Sequence, residues 1–172
     1  RKEAIFPQAI ISRQLKRIEE KEYAYEFVKL ERTSNSIKAS KSNKLPIFNF
    51  PVNKKLEDKS GVLVVWEKPV KNPSFGMYYA SIDPVSEGKT TTTDSLCSIF
   101  VYKNPIEVTR QSKDQPEAFI EGDKIVASWC GRYDDINKTH EQLELIIEWY
   151  NAWTLVENNI SLFIQYMISK KK

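Results

Sequence analysis

The stretch that decides the fold is Tyr78-Tyr79-Ala80-Ser81-Ile82-Asp83-Pro84. A short apolar run ends in one carboxylate, and Pro84 stops the strand because proline has no backbone N–H to donate. About seventy residues later the pattern recurs in Trp153-Thr154-Leu155-Val156-Glu157. An unpaired carboxylate beside a hydrophobic sheet is costly, so such an acid usually has a metal ion, a cation or hydrogen-bond donors as its partner. The sequence therefore predicts two acids at matching strand ends.

The order of elements beyond residue 61 predicts an α/β domain with a mixed sheet flanked by helices. Four apolar strands come first, then a helix, a strand and a last helix: Val62–Trp66, Met77–Asp83, Leu96–Tyr102, Ile125–Cys130, Leu143–Tyr150, Trp153–Glu157 and Ile160–Met167. Short turns favour antiparallel pairing of neighbouring strands, whereas the helical crossover before Leu155 favours a parallel pairing. Thr139 and Gln142 have the spacing of a capping box at the start of the first of these helices. The polar residues 104–122 are interpreted as an excursion between strands.

Residues 1–60 are less regular, and we interpret them as a lead-in to a domain at 61–172. A helix is predicted from Pro7 to about residue 21, followed by a strand at 25–31. The Ser-, Asn- and Lys-rich residues 33–44 are typical of an exposed loop, and 46–52 of a short extended piece.

Charge is distributed unevenly along the 172 residues, whose net charge is +3. Residues 1–61 carry six more basic than acidic side chains, and residues 62–169 carry six more acidic than basic ones. A lysine-rich, solvated lead-in explains this asymmetry, and so does a basic arm that lies along a polyanion next to an acidic site. Charge alone does not separate the two interpretations.

Location is predicted from what the sequence lacks. No apolar run approaches the roughly 20 residues that a membrane span needs, and the first residues have no hydrophobic signal segment. The sequence begins without methionine, so we expect a fragment or a processed product. Cys97 and Cys130 lie in apolar runs and are interpreted as reduced, buried thiols of a cytoplasmic protein.

The acids point to divalent-metal chemistry, because carboxylates are natural ligands of Mg²⁺ and Mn²⁺. Two such ions roughly 4 Å apart can activate a water and stabilise the leaving oxygen of a phosphodiester. In this interpretation Asp83 bridges both ions, Glu157 binds one, and Asp94 is a further ligand or holds a metal-bound water. One acid at a strand end is more often a cap or a solvated residue; two at matching ends favour metal.

Other polar and aromatic residues carry weaker signals. Lys89 and Arg132 are candidates for contacts with nucleic-acid phosphates, although surface solvation explains them equally well. The single histidine, His140, is predicted to be a solvated surface residue, and no Ser-His-Asp or Cys-His arrangement is visible. Asp134-Asp135 favours the N-terminal end of the following helix. Core packing is predicted for all four tryptophans: Trp66, Trp129, Trp149 and Trp153.

Several pieces together resemble the nuclease domain of the large subunit of tailed-phage terminases, which has a ribonuclease H-like fold with a mixed five-stranded sheet. They are Gly61-Val62-Leu63-Val64-Val65-Trp66-Glu67-Lys68-Pro69, the stretch at 78–84 with its loop to Asp94, Ile125–Arg132, and Tyr150-Asn151-Ala152 with Val156-Glu157-Asn158-Asn159. The resemblance covers roughly residues 61–169. In that fold the first strand and the strand after the first helix lie side by side, so Asp83 and Glu157 would meet at one edge.

This resemblance implies an endonuclease that cuts concatemeric viral DNA during packaging, in the cytoplasm of a bacterial host, with two Mg²⁺ or Mn²⁺ ions. It also implies double-stranded DNA, the portal or procapsid and the terminase small subunit as partners. The family carries an ATPase motor whose Walker residues are not found here. Its third acid follows the second acidic motif at a distance, whereas this sequence ends 15 residues beyond Glu157, so we expect that ligand to be missing and the site to be weakened.

Two alternatives remain open. One is another ribonuclease H-like nuclease, such as a junction resolvase or a transposase; a Walker motif upstream in the gene would favour the terminase instead. The other is a non-catalytic module that binds DNA or a portal through the basic lead-in, for which salt-sensitive DNA binding without a metal response would be diagnostic.

Overall fold

The computed structural model describes residues 8–20, 24–47, 58–86, 95–111, 116–121, 124–157 and 162–170. Three helices and nine strands lie within these ranges. The helices are α1 Gln8–Glu19, α2 Ile136–Tyr150 and α3 Leu162–Ser169. The strands are β1 Glu26–Arg32, β2 Ile37–Lys41, β3 Leu63–Val65, β4 Tyr78–Asp83, β5 Cys97–Lys103, β6 Ile106–Gln111, β7 Pro116–Glu121, β8 Lys124–Gly131 and β9 Trp153–Val156.

Seven of the described strands form one mixed sheet in the order β2-β1-β3-β8-β5-β4-β9. The β4–β9 pair is parallel, and all other neighbours are antiparallel. The protein thus belongs to the α/β class, with the predicted parallel pairing produced by the crossover through α2. Strands β6 and β7 form a separate antiparallel pair within residues 104–122, the segment that the sequence predicts to be an excursion between strands.

The sheet has two strands more than the five expected, because β1 and β2, which come from the segment interpreted as a lead-in, also join it. Residues 33–44 were predicted to be a loop, yet they turn back tightly and continue as β2. The turn is closed by the Thr33 N–H, which donates to the Ser36 carbonyl at 2.8 Å, and by the Thr33 hydroxyl at the same carbonyl. The predicted loop is therefore wrong for Ile37–Lys41, which form β2, whereas residues 33–36 and 42–44 have no regular secondary structure. Residues 48–57, which include most of the extended piece expected at 46–52, lie outside the described ranges.

A close backbone approach explains why a glycine precedes β3. Gly61 has φ +59°, and a Cβ there would lie 2.0 Å from the Cys130 carbonyl oxygen. Only a residue without a side chain permits this contact between the start of β3 and the end of β8. The close contact at Gly61 lies next to the paired strands β3 and β8. Strand β3 thus pairs with β8 and not with β4, the next strand along the chain.

The two faces of the sheet differ in burial. The covered face packs against α2 and α3 and is fully buried in its aliphatic members, which include Val28, Leu30, Leu63, Val65, Ala80, Ile82, Ile99 and Val101. The open face carries the alternate residues of the same strands, among them Phe27, Tyr79, Ser81, Phe100, Trp153 and Leu155. Phe100 remains 46% exposed and Leu155 72% exposed. The core therefore lies on one side of the sheet.

Helix α2 is fixed at both ends by local polar contacts. The Asp135 carboxylate accepts the Asn137 N–H at 2.9 Å as N-cap, which confirms the role predicted for Asp134-Asp135. The predicted capping box is wrong, because Thr139 lies inside the helix and its hydroxyl accepts the Tyr133 N–H at 3.0 Å. Asn151 ends the helix in the left-handed conformation, φ 49°, and the chain then enters β9 beside β4.

Among the described residues, no helix combines the length and the hydrophobicity that crossing a bilayer requires.

Candidate functional site

Asp83 is placed by the alternation of β4. Tyr78, Ala80 and Ile82 are buried, whereas Tyr79, Ser81 and Asp83 are exposed. Because successive side chains of a strand point to opposite faces, Asp83 belongs to the open face at the end of β4. Its carboxylate stays accessible to water while the strand that carries it is anchored in the core.

Glu157 arrives at the neighbouring position from the parallel strand. The register pairs Ile82 with Val156, and the Glu157 N–H donates to the Ile82 carbonyl at 3.1 Å. Glu157 is exposed, and strand alternation assigns it to the same face as Asp83. The two acids that the sequence singled out are thus neighbours at the same end of two adjacent strands.

Asp83 lies within a row of polar residues that crosses four strands. Glu157 follows β9 on one side of it, Ser98 of β5 is its cross-strand partner on the other, and Cys130 of β8 faces Ser98. Within the described ranges, no lysine or arginine pairs with Asp83. The row therefore combines two carboxylates, a hydroxyl and a thiol at one edge of the open face.

The cysteines beside Asp83 are kept neutral. Burial, reinforced by the negative charge of Asp83, raises the pKa of the Cys97 thiol to about 12 and also raises the pKa of Cys130. Both are free cysteines; Cys97 is buried as predicted, whereas Cys130 is only partly buried. Since the thiolate is the nucleophile, these raised pKa values disfavour a nucleophilic role for either cysteine.

The donors of this row fit a hard divalent cation. Mg²⁺ usually keeps several waters and is bound through one or two carboxylates plus substrate phosphates, and Asp83 with Glu157 supplies such a pair. The described residues contain no group of three or more His, Cys, Asp or Glu side chains that could hold a metal ion by themselves. Any ion here would depend on water and on substrate oxygens.

Other predicted site residues fall elsewhere. Asp94 and Lys89 lie outside the described residues. Arg132 is only 5% exposed, and its backbone N–H donates to the Lys59 carbonyl at 2.7 Å, so the surface position expected for it is wrong. Strand alternation in β8 does not signal this burial, because it places Arg132 on the face of the partly exposed Ser128 and Cys130 and not on that of the buried Trp129.

The burial predicted for His140 and for two of the tryptophans is also wrong. His140 is 4% exposed, not solvated. Its position three residues before Leu143, on the apolar stripe of α2, was the overlooked signal. Trp129 is buried as predicted, but Trp66 is 40% and Trp153 45% exposed, and Trp153 belongs to the open face.

No protein-family profile matches the chain, and no curated protein or solved structure shows detectable similarity to it.

Proposed function

We propose that the chain is the nuclease domain of a tailed-phage terminase large subunit, a metal-dependent endodeoxyribonuclease with a ribonuclease H-like fold. The observation that carries the proposal is the adjacency of Asp83 and Glu157 at the ends of two parallel strands. A ribonuclease H-like fold requires this adjacency between its first strand and the strand that follows the first helix. The substrate would be concatemeric viral DNA, cut during packaging.

In this proposal Asp83 holds Mg²⁺ or Mn²⁺ from β4, and Glu157 holds it from β9. Such an ion lowers the pKa of a coordinated water and neutralises charge on the phosphate that is attacked. The Ser98 hydroxyl, next in the row, is available to donate to a phosphate oxygen. Asp94 stays our candidate for a further ligand, and Lys89 for a phosphate contact.

Access of DNA to the carboxylates supports the same proposal. Asp83 and Glu157 lie on the open face, where a long, stiff polyanion could approach without displacing a helix of the covered face. The basic lead-in contributes less than its composition suggests. Lys29 pairs with Glu31 at 2.7 Å, Lys44 with Asp58 at 2.6 Å, and Arg32 with two glutamates of α2.

Metal binding is the first test, because it does not require a complete catalytic site. Titration of the 172-residue chain with Mn²⁺, followed by the loss of the free-ion signal in electron paramagnetic resonance, should reveal a site in the wild type. Asp83→Asn and Glu157→Gln should each weaken it by at least about tenfold, as expected when a ligand is lost. Glu31→Gln, an equal change of charge at an exposed acid on β1, is the matched control.

Plasmid nicking in Mg²⁺ or Mn²⁺ is the second test. Cleavage that Asp83→Asn and Glu157→Gln abolish, and that Glu31→Gln retains, would support the endonuclease. Cleavage that survives Asp83→Asn, or Mn²⁺ binding unaffected by both site variants, would refute it.

The width of the open face favours a second candidate, a non-catalytic module that binds DNA or a portal protein. Exposed apolar patches of this kind mark interaction surfaces in many proteins. Such a module would bind DNA with a steep salt dependence that EDTA leaves unchanged, and Phe100→Ser, but not Asp83→Asn, would weaken its binding. A resolvase or transposase nuclease, by contrast, would share the metal dependence and lack a packaging motor in its parent gene.

A further inference from the structure

His140 is enclosed between two helices. It projects from α2, is 4% exposed, and lies under two rings of α3, with centroid distances of 5.5 Å to Phe163 and 5.2 Å to Tyr166. Its Nε2 atom is buried and has no hydrogen-bond partner among the described residues. The imidazole ring therefore packs against the two aromatic rings much as an apolar side chain would, and this environment favours its neutral form.

The charges around His140 do not offer it a free partner. Glu144, one turn further along α2, accepts from the Arg32 guanidinium at 2.9 Å and from the Tyr166 hydroxyl at 2.6 Å. Glu141 is exposed at the adjacent position, and the Nζ atom of Lys170, directly after α3, lies 5.3 Å from the centre of the Tyr166 ring. Cation–π attraction to the two rings would favour the charged imidazole, whereas desolvation by burial favours the neutral form and lowers the pKa of His140.

Helix α3 is held weakly. It has eight residues, of which Phe163 is the fully buried one, and Leu162 and Ile168 remain 41% and 68% exposed. An apolar cleft of about 550 Å³ separates parts of α2, β9 and α3. A helix of this length is not stable in isolation, so α3 depends on the contacts that Phe163 and Tyr166 make over His140.

We propose that protonation of His140 releases α3 from α2, so that the histidine works as a pH-sensitive latch. The undocked state exposes the imidazole to water and takes up a proton more readily than the docked state does. Because the pKa is lowered in the docked state, the latch is fully closed above the ordinary pKa of about 6.5. Its stability falls as the pH drops from there to the lower pKa of the docked form.

Release of α3 would affect the candidate metal site, because α3 follows β9 and Glu157 along the chain. Glu157 directly follows β9, and α3 is the next described element of the chain, beginning at Leu162. Undocking of α3 would therefore remove a support from the end of β9. Val156, on the covered face of β9, lines the same apolar cleft as Phe163 and Met167 of α3. The latch itself does not depend on the proposed nuclease function, since it concerns the docking of α3 only.

The single histidine makes the test direct. The imidazole Cε1 resonance, followed by NMR from pH 8 to pH 4.5, reports the titration of His140 without assignment ambiguity. Hydrogen exchange of residues 162–170, corrected for the intrinsic rate at each pH, reports the docking of α3. Amides of β5 in the same sample control for global unfolding.

A titration midpoint below 6.5, with α3 protection falling by about tenfold for each unit by which the midpoint is lowered, supports the latch. His140→Phe should keep α3 docked throughout this range. A midpoint at or above 6.5, an α3 protection that does not change with pH, or an undiminished loss of protection in His140→Phe would overturn the proposal. If His140→Phe fails to fold, the wild-type titration and exchange data decide between these outcomes.

Discussion

The covered and open faces of the sheet are built from alternate residues of the same strands, yet they serve different purposes. The covered face is mostly aliphatic, with the buried rings of Tyr78 and Trp129, and packs against α2 and α3. The open face carries exposed aromatic rings, serines and both acids of the candidate site. Ile99 is 0% exposed and its neighbour Phe100 is 46% exposed. Most of the stabilising burial thus lies on one face and the candidate chemistry on the other.

Substitution of Ile99 and of Phe100 should give the largest difference in stability between the two faces. Ile99→Ala leaves a cavity in the covered face and should lower the free energy of unfolding by about 2–5 kcal/mol. Phe100→Ala removes a ring that is already half in water and should cost about 1 kcal/mol. Urea denaturation of both variants gives the comparison. Equal losses would mean that another surface covers the open face in solution, and the distinction between the faces would fail.

The parallel strands β4 and β9 could be predicted because the same local sequence pattern marks each of them. Each is a short apolar run that ends in an acid, and the helical pattern before Leu155 requires a crossover connection. A crossover returns the chain parallel to its earlier direction, whereas the position of Asp83 beside Glu157 was expected only from the resemblance to the ribonuclease H-like fold. The alternation of apolar and polar residues in β4 also indicates on which face of the sheet Asp83 lies.

The pairing of β3 and the addition of β1 and β2 could not be predicted in the same way. These strands pair with partners distant in sequence, β3 with β8 for example, and no local pattern specifies such a partner. The Ser- and Lys-rich composition of residues 33–44 is typical of a loop, but a turn at 33–36 and pairing with β1 override that propensity. The burial of His140 depends likewise on α3, which folds over it from later in the chain.

Ion pairs offer a second comparison of the faces, with a smaller expected effect. Glu144 is 3% exposed on the covered side, where it binds Arg32 and Tyr166. Glu144→Gln keeps the size of the side chain but removes its charge, and we expect a loss of about 1–3 kcal/mol in urea denaturation at pH 7. The partly exposed guanidinium of Arg32 retains Glu148 at 2.7 Å, which limits the loss.

The corresponding change on the open face is Glu31→Gln. Glu31 pairs with Lys29 at 2.7 Å, both side chains being more than half exposed. Water and salt screen such a pair, so no measurable change in stability is expected. A cost equal to that of Glu144→Gln would show that burial does not distinguish the two ion pairs.

The smallest effect on stability is expected at Asp83 itself. Here the two faces differ in their proposed function and not in their contribution to stability. Asp83→Asn removes an exposed charge next to Glu157, and in the absence of metal the free energy of unfolding should stay within about 0.5 kcal/mol of the wild type. Mn²⁺ at about 100 times its dissociation constant should stabilise the wild type by about 2.7 kcal/mol through binding to the folded state. The same addition should stabilise Asp83→Asn by no more than about 1.4 kcal/mol, because its site is expected to be at least about tenfold weaker. Thermal unfolding with and without Mn²⁺ measures both quantities, and an equal shift in the two proteins would place the metal somewhere other than at these two strand ends.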